Sequence, residues 1–252
     1  MQRIKFQEVL GAHFDECVTS VEFVRRTYEA LWPYGFRAWN ALPCVSVCRD
    51  ELMRPLVEDI QKTWREAFKL SGLAGMLYLG KAGFLRAKDH APNEEGIERY
   101  VYFAFPHVGL GLEGEIGLGY RPGRREPARL CGALIAFQEE LANGSLRLDL
   151  DLDDLEQSLL KQRLFRKLKY GEVPDLVTLT KVAHTAIVEE LERMIALTPD
   201  PNVRSDYSVL TGIVIHGPEH RDYIWPGVMY AVVDGERHNL SLEKGEFAAA
   251  HA

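Results

Sequence analysis

The sequence predicts an α/β protein built on an open, largely parallel sheet flanked by helices. Three observations carry this. Short apolar, β-branched runs alternate with amphipathic helical segments through the first half of the chain, the pattern of strand–helix units. Two of those runs, ending at Cys48 and His107, are apolar or aromatic along most of their length and read as buried strands. Glycine and proline clusters stand between the segments, where the chain must turn.

Taken in order, apolar residues at helical spacing (Phe14, Val18, Val21, Val24, Tyr28, Leu31) predict a helix that Trp32-Pro33-Tyr34-Gly35 ends. Leu42 to Cys48 is the first strand, and the turn Arg49-Asp50-Glu51 leads into an amphipathic helix expected to run to about Phe68. The stretch Gly72 to Phe84 has glycines on both sides of Met76-Leu77-Tyr78-Leu79, which predicts a strand between permissive turns. Arg99 to His107 is the next strand, followed by a glycine-rich stretch to Gly119 and a polar loop from Tyr120 to Arg129. Cys131-Gly132-Ala133 opens a helix through Leu141, and Asp149 to Lys169 and Leu176 to Leu197 are two further amphipathic helices. Two strands close the chain, Tyr207 to Ile215 and Tyr223 to Val233, the second followed by an Asp234-Gly235 turn. We expect one domain over residues 1–252, with N-terminal helices to about residue 40 and a helix-and-strand portion from about residue 145.

With 252 residues, 46% of them hydrophobic, the chain can bury one substantial core. A formal net charge of −7 argues against a nucleic-acid partner, which selects for a basic face. The basic groups around Arg121, Arg124, Arg125 and Arg129, and from Lys161 to Lys169, have acidic neighbours and read as solvated faces. No apolar run is long enough to span a bilayer and the first residues lack a secretory signal, so a cytoplasmic location is expected and no membrane partner. Four cysteines (Cys17, Cys44, Cys48, Cys131) are too few for a disulfide framework and leave burial, catalysis or metal binding as their uses.

Ligands in open parallel sheets bind at the carboxyl ends of the strands. Cys48 and His107 sit at such ends, Asp50 lies just beyond the first, and Cys131 starts a helix. A catalytic zinc site needs three nitrogen or sulfur ligands and one open position, and Cys48, His107 and Cys131 supply such a set. Cys44 and Cys17 are assigned to the core, and His184, His216 and His220 to no site. Two other readings use the same residues. In a cysteine hydrolase Cys48 is the nucleophile, His107 the base and Asp50 the orienting acid, which leaves Cys131 without a task. In a non-catalytic protein a closed zinc site stabilises the fold, and the chain serves as a subunit or a bicarbonate-responsive partner.

The blocks Cys48-Arg49-Asp50-Glu51, Gly80-Lys81-Ala82-Gly83-Phe84, His90-Ala91-Pro92, Pro106-His107, Arg121-Pro122-Gly123-Arg124 and Cys131-Gly132-Ala133-Leu134 follow one another between about His13 and Arg163. In this order they resemble the limiting CO2-inducible protein B/C family, a branch of the β-type carbonic anhydrases also called theta. The resemblance implies a β-carbonic anhydrase-like sheet, a homodimer, and zinc on Cys48, His107 and Cys131. It implies reversible hydration of carbon dioxide to bicarbonate, with zinc-bound hydroxide as nucleophile and Asp50 orienting it. The β-type enzymes carry an arginine two residues after that aspartate; position 52 here is Leu52. Arg49 and Arg54 are then the nearest partners for Asp50, and Arg49 is taken as its catalytic companion. Leu73, Met76, Phe84 and Phe105 are candidate walls of an apolar pocket, and His90 and Tyr120 candidate proton relays.

Overall fold

The computed structural model describes residues 2–242, with side chains from residue 5. The domain limits expected at residue 1 and beyond residue 242 lie outside the described residues. Helix α1 (Gln2–His13) and the two-residue strand β1 (Val18–Thr19) precede α2 (Ser20–Leu31). The helix expected from Phe14 therefore begins later. Thr19 caps it, its Oγ1 accepting from the Glu22 amide at 3.3 Å, while Val18 and Thr19 pair with a strand near the C-terminus.

Strand β2 (Ala41–Val47) is buried at all seven positions, as a strand covered on both faces should be. Helix α3 (Arg54–Trp64) follows it and stops short of Phe68, because Arg65 turns to a positive φ of 73° and the chain re-enters the sheet as β3 (Phe68–Lys69). The strand expected within Gly72–Phe84 is not formed. Ala74 and Gly75 take positive φ in a short 3-10 turn, and Gly80 opens helix α4 (Gly80–Lys88). Strands β4 (Asn93–Glu94), β5 (Ile97–Phe105) and β6 (His107–Gly109) come next, β5 and β6 being separated by Pro106, which has no amide to donate. A small hairpin of β7 (Leu118–Gly119) and β8 (Ala128–Arg129) leads to α5 (Gly132–Ala142). Helix α6 (Leu155–Phe165) is shorter at both ends than the Asp149–Lys169 segment expected, whereas α7 (Leu176–Leu197) matches its expected bounds. The chain ends in β9 (Arg204–His216), β10 (Asp222–Val233) and β11 (Glu236–Asn239).

Apart from the β7–β8 hairpin, these strands form one mixed, mostly parallel open sheet in the order β1-β10-β9-β5-β2-β3, with β4, β6 and β11 added to β5, β9 and β10. Its middle, β3-β2-β5-β9, is parallel, and β10 is antiparallel to β9. Register fixes the layers. Ala104 lies beside Thr211, which bonds His184 of α7, so Phe105 points to the other face, where its ring meets Phe23 of α2 edge-on at 5.5 Å. Helices therefore cover both faces. α7 has eleven buried residues and packs on β5, β6 and β9. Its apolar face is thus used within the chain.

Candidate metal centre

The carboxyl ends of two strands and the start of one helix meet at one place. Cys48 follows the last residue of β2, and Val47 is in register with Phe105 at the end of β5. Pro106 then breaks the ladder and His107 starts β6. Cys131 is the N-cap residue of α5. The ligand atoms of Cys48, His107 and Cys131 all lie within 4.8 Å of one another, and the residues are 7%, 0% and 1% exposed. The two sulfurs are 4.0 Å apart. Tetrahedral zinc with metal–sulfur bonds of about 2.3 Å would hold two sulfurs about 3.8 Å apart, so the pair fits the ion with little movement.

The chemistry of the donors fits as well. The Nε2 of His107 is buried and bonds to no protein group, an arrangement that normally costs free energy and that a metal ion would relieve. A hydrogen bond from Cys131, helped by the nearby His107 and the Asp50 amide, pulls the Cys48 thiol down to about 4 against the opposing effect of burial. The partner thiol, Cys131, is held well above its usual value by that same bond to Cys48 and by burial, although the amides of Ala133 and Leu134 at the start of α5 favour its thiolate. The pair thus gives up its first proton readily and its second reluctantly, as two close acids sharing one site do. Cys44 and Cys17 contrast with them. Burial pushes both thiols up, Cys17 to about 12, and neither belongs to the cluster. Cys44 is fully buried in β2; Cys17 is half-buried between α1 and β1, its thiol 3.3 Å from the Phe14 carbonyl.

Asp50 is held by a residue that its neighbours in sequence do not supply. Arg121, on the loop between β7 and β8, donates to both carboxylate oxygens, at 2.9 Å to Oδ1 and 2.8 Å to Oδ2, and also pairs with Glu51. The Leu52 amide donates to Oδ1 at 3.1 Å. Burial alone would raise the Asp50 pKa, but the Arg121 fork and the Leu52 amide bring it below the ordinary carboxylate value. The expected partner, Arg49, turns away. Its Nε donates to Glu156 at 3.1 Å, and Glu156 in turn accepts the Leu73 amide at 3.0 Å. Arg54 pairs with Glu58 one helical turn away, at 2.6 Å. Charged groups pair with what their backbone faces, and Arg49 faces α6 while the hairpin loop brings Arg121 over Asp50.

Behind His107 stands a residue that the sequence left unassigned. His107 Nδ1 is 3.0 Å from His216 Nε2, and His216 Nδ1 is 2.7 Å from Asp222 Oδ1. This contact removes the Cys48–His107–Asp50 triad of the hydrolase reading, because the ring nitrogen that an orienting acid would occupy is taken by His216 and the Asp50 carboxylate by Arg121. Of the other residues singled out, Met76, Phe84 and Phe105 are core, Phe84 stacking on Tyr102 at 6.1 Å. His90 is exposed with its ring 5.3 Å from that of Phe68, and Tyr120 is exposed. His220 lies in the short turn between β9 and β10. Gly75 keeps the Leu73 turn against the site. Its φ is +81°, and a Cβ there would lie 2.4 Å from the Phe105 carbonyl oxygen. Tyr78 was also missed: its hydroxyl is buried without a hydrogen-bond partner, and the ring is fixed between Gly72 and the Arg163 guanidinium.

Comparison with known proteins bears on the family and the fold. Residues 17–233 match the model of the family described as limiting CO2-inducible proteins B/C beta carbonic anhydrases. The crystal structure of the limiting CO2-inducible protein LCIB is 30% identical, with a TM-score of 0.75 over 92% of this chain and 96% of that one. That of PtLCIB4, a homolog of the same protein, is 24% identical and superimposes with a TM-score of 0.80 over 93% and 99% of the two chains. No functionally curated protein matches the chain significantly.

Proposed function

Since the chain belongs to the limiting CO2-inducible protein B/C family of β-type carbonic anhydrases, we propose that it reversibly hydrates carbon dioxide to bicarbonate, with one zinc ion on Cys48, His107 and Cys131. The observation that carries this reading is the meeting of two sulfurs and an unpartnered imidazole nitrogen within 4.8 Å, all buried. When bound, zinc lowers the pKa of a coordinated water to about 7, a figure for which carbonic anhydrase is itself the standard case.

The rest of the work falls to side chains of this protein. Cys48 and Cys131 offer thiolate charge and His107 a neutral nitrogen, a set that leaves one position of a tetrahedron for solvent or substrate. Asp50 would accept a hydrogen bond from a proton-bearing oxygen at that position and so set its orientation. Arg121 holds both Asp50 oxygens, which keeps the carboxylate ionised and stops it from swinging in to fill the fourth position. The substrates, carbon dioxide and bicarbonate, are small enough to need no large cavity. A cytoplasmic homodimer belongs to the same proposal; none of the described helices is long and apolar enough to cross a membrane.

Metal analysis and a stopped-flow hydration assay on one purified sample test the reading. We expect one zinc per chain, lost in Cys131→Ser and His107→Ala, and hydration that disappears with it. A chain that holds one zinc and shows no turnover from neutral to alkaline pH would favour the stabilising, non-catalytic role. A zinc-free chain alkylated stoichiometrically at Cys48 would return the hydrolase.

A further inference from the structure

Resting on the metal site proposed above, the geometry points to His216 and Asp222 as positioning residues that fix which nitrogen of His107 is free to bind the ion. A neutral imidazole carries one proton and one lone pair, and a metal takes the lone pair. His107 must therefore keep its proton on Nδ1 if Nε2 is to face the sulfurs as a ligand.

The hydrogen bonds allow only one neutral arrangement. A carboxylate can only accept, so at 2.7 Å from Asp222 Oδ1 the His216 Nδ1 is the donor. His216 Nε2 is then left with a lone pair, and at 3.0 Å it accepts from His107 Nδ1–H. The opposite arrangement would set a nitrogen lone pair against a carboxylate oxygen at 2.7 Å. Asp222 thus selects, through an intervening imidazole, the tautomer of His107 whose Nε2 lone pair points at Cys48 and Cys131. That nitrogen is the one that lacks any protein partner.

The backbone holds this chain of groups stiffly. Asp222 lies directly opposite His216 in the β9–β10 register, and β6 is paired with β9 so that His107 lies beside Val214 and Gly109 beside His216. His216 is 4% exposed and the Asp222 side chain 10%, so water does not replace either bond cheaply. A carboxylate at the far end also raises the electron density on the ligand nitrogen. This is the effect of a carboxylate bonded directly to a ligating histidine, carried here one ring further.

Zinc affinity, measured by competition with a chromophoric chelator, tests the assignment on the full chain. For Asp222→Asn and His216→Ala we expect binding weaker by about 10- to 100-fold. His216→Gln, whose side-chain carbonyl still accepts from His107 Nδ1, should recover most of that loss. Thermal midpoints of the metal-free variants separate positioning from folding, and the wild-type and Asp222→Asn midpoints should differ far less than their affinities. Nitrogen-15 spectra of the histidines in the metal-free protein should show His107 protonated on Nδ1 in the wild type and redistributed in Asp222→Asn. Equal zinc affinity in wild type and Asp222→Asn, with His107→Ala unable to bind, would overturn the positioning role and leave the metal site standing. A wild type that binds no zinc would overturn both.

Discussion

Asp50 shows how one contact decides what a carboxylate beside the proposed metal site can do. Free to move, it could close the fourth position; gripped by a planar guanidinium at both oxygens, it stays beside that position and remains charged. Arg121→Ala should therefore keep the zinc content and lower hydration on the order of 10²-fold, the usual cost of losing one preorganised polar group. Arg49→Ala, which breaks only the pair with Glu156, should stay near wild type; steady-state assays of the two variants beside a metal analysis check this. If Arg49→Ala were the damaging change, the pairing of Asp50 would not be what tunes the site. The partner was not legible because position 52 holds Leu52 and the local candidates, Arg49 and Arg54, lie close in sequence but face elsewhere. An ion pair that joins residues 50 and 121 depends on where a hairpin loop lands, and no local spacing records that. That Cys48, His107 and Cys131 would come together was legible through their places at strand and helix ends, and the part of His216 was not, since its link to His107 exists only once β6 lies on β9.

The longest helix is set by a single short side chain. Asp175 caps α7, its Oδ1 accepting from the Thr178 amide at 2.7 Å, and this bond holds the carboxyl below its usual pKa despite some burial. Asp175→Ala should cost about 1 kcal/mol of stability at neutral pH. The contribution exists above the unfolded-chain value of 3.8 and is lost as pH falls through the lower folded-state value, so the two proteins should converge in strong acid. Urea unfolding midpoints at pH 7 and at about pH 2 or below measure the convergence. Elements whose signal is periodicity were read well: β2, β5, β9, β10 and α7 stand close to where the pattern puts them. The Gly72–Phe84 stretch was not. Its alternation imitates a strand, but a non-glycine residue at positive φ (Ala74) and the fit of Gly75 against the Phe105 carbonyl are tertiary choices, strengthened by Ser46 Oγ donating to the Gly75 carbonyl at 2.9 Å.

For the molecule as a whole, the joint between α7 and the sheet carries a pH liability. His184 is 7% exposed; since the Thr211 hydroxyl donates to the Val228 carbonyl, His184 Nε2–H donates to Thr211 at 2.9 Å. Burial lowers its pKa to about 4 from 6.5. Below pH 6.5 the unfolded chain takes up a proton that the folded chain refuses until about pH 4, so stability is held above that window and lost on descending through it. The loss from this group is on the order of 3 kcal/mol. His184→Gln should flatten the fall in unfolding free energy between pH 6.5 and 4, and an unchanged slope would show that other groups govern it. The order of the sheet has a different consequence, in time. β9 is the plank between β5 and β10, yet it is among the last strands to be translated. While the ribosome works through residues 106–203, β5 has an open edge whose permanent neighbour is not yet made, so closing the sheet across β5 must follow the synthesis of β9.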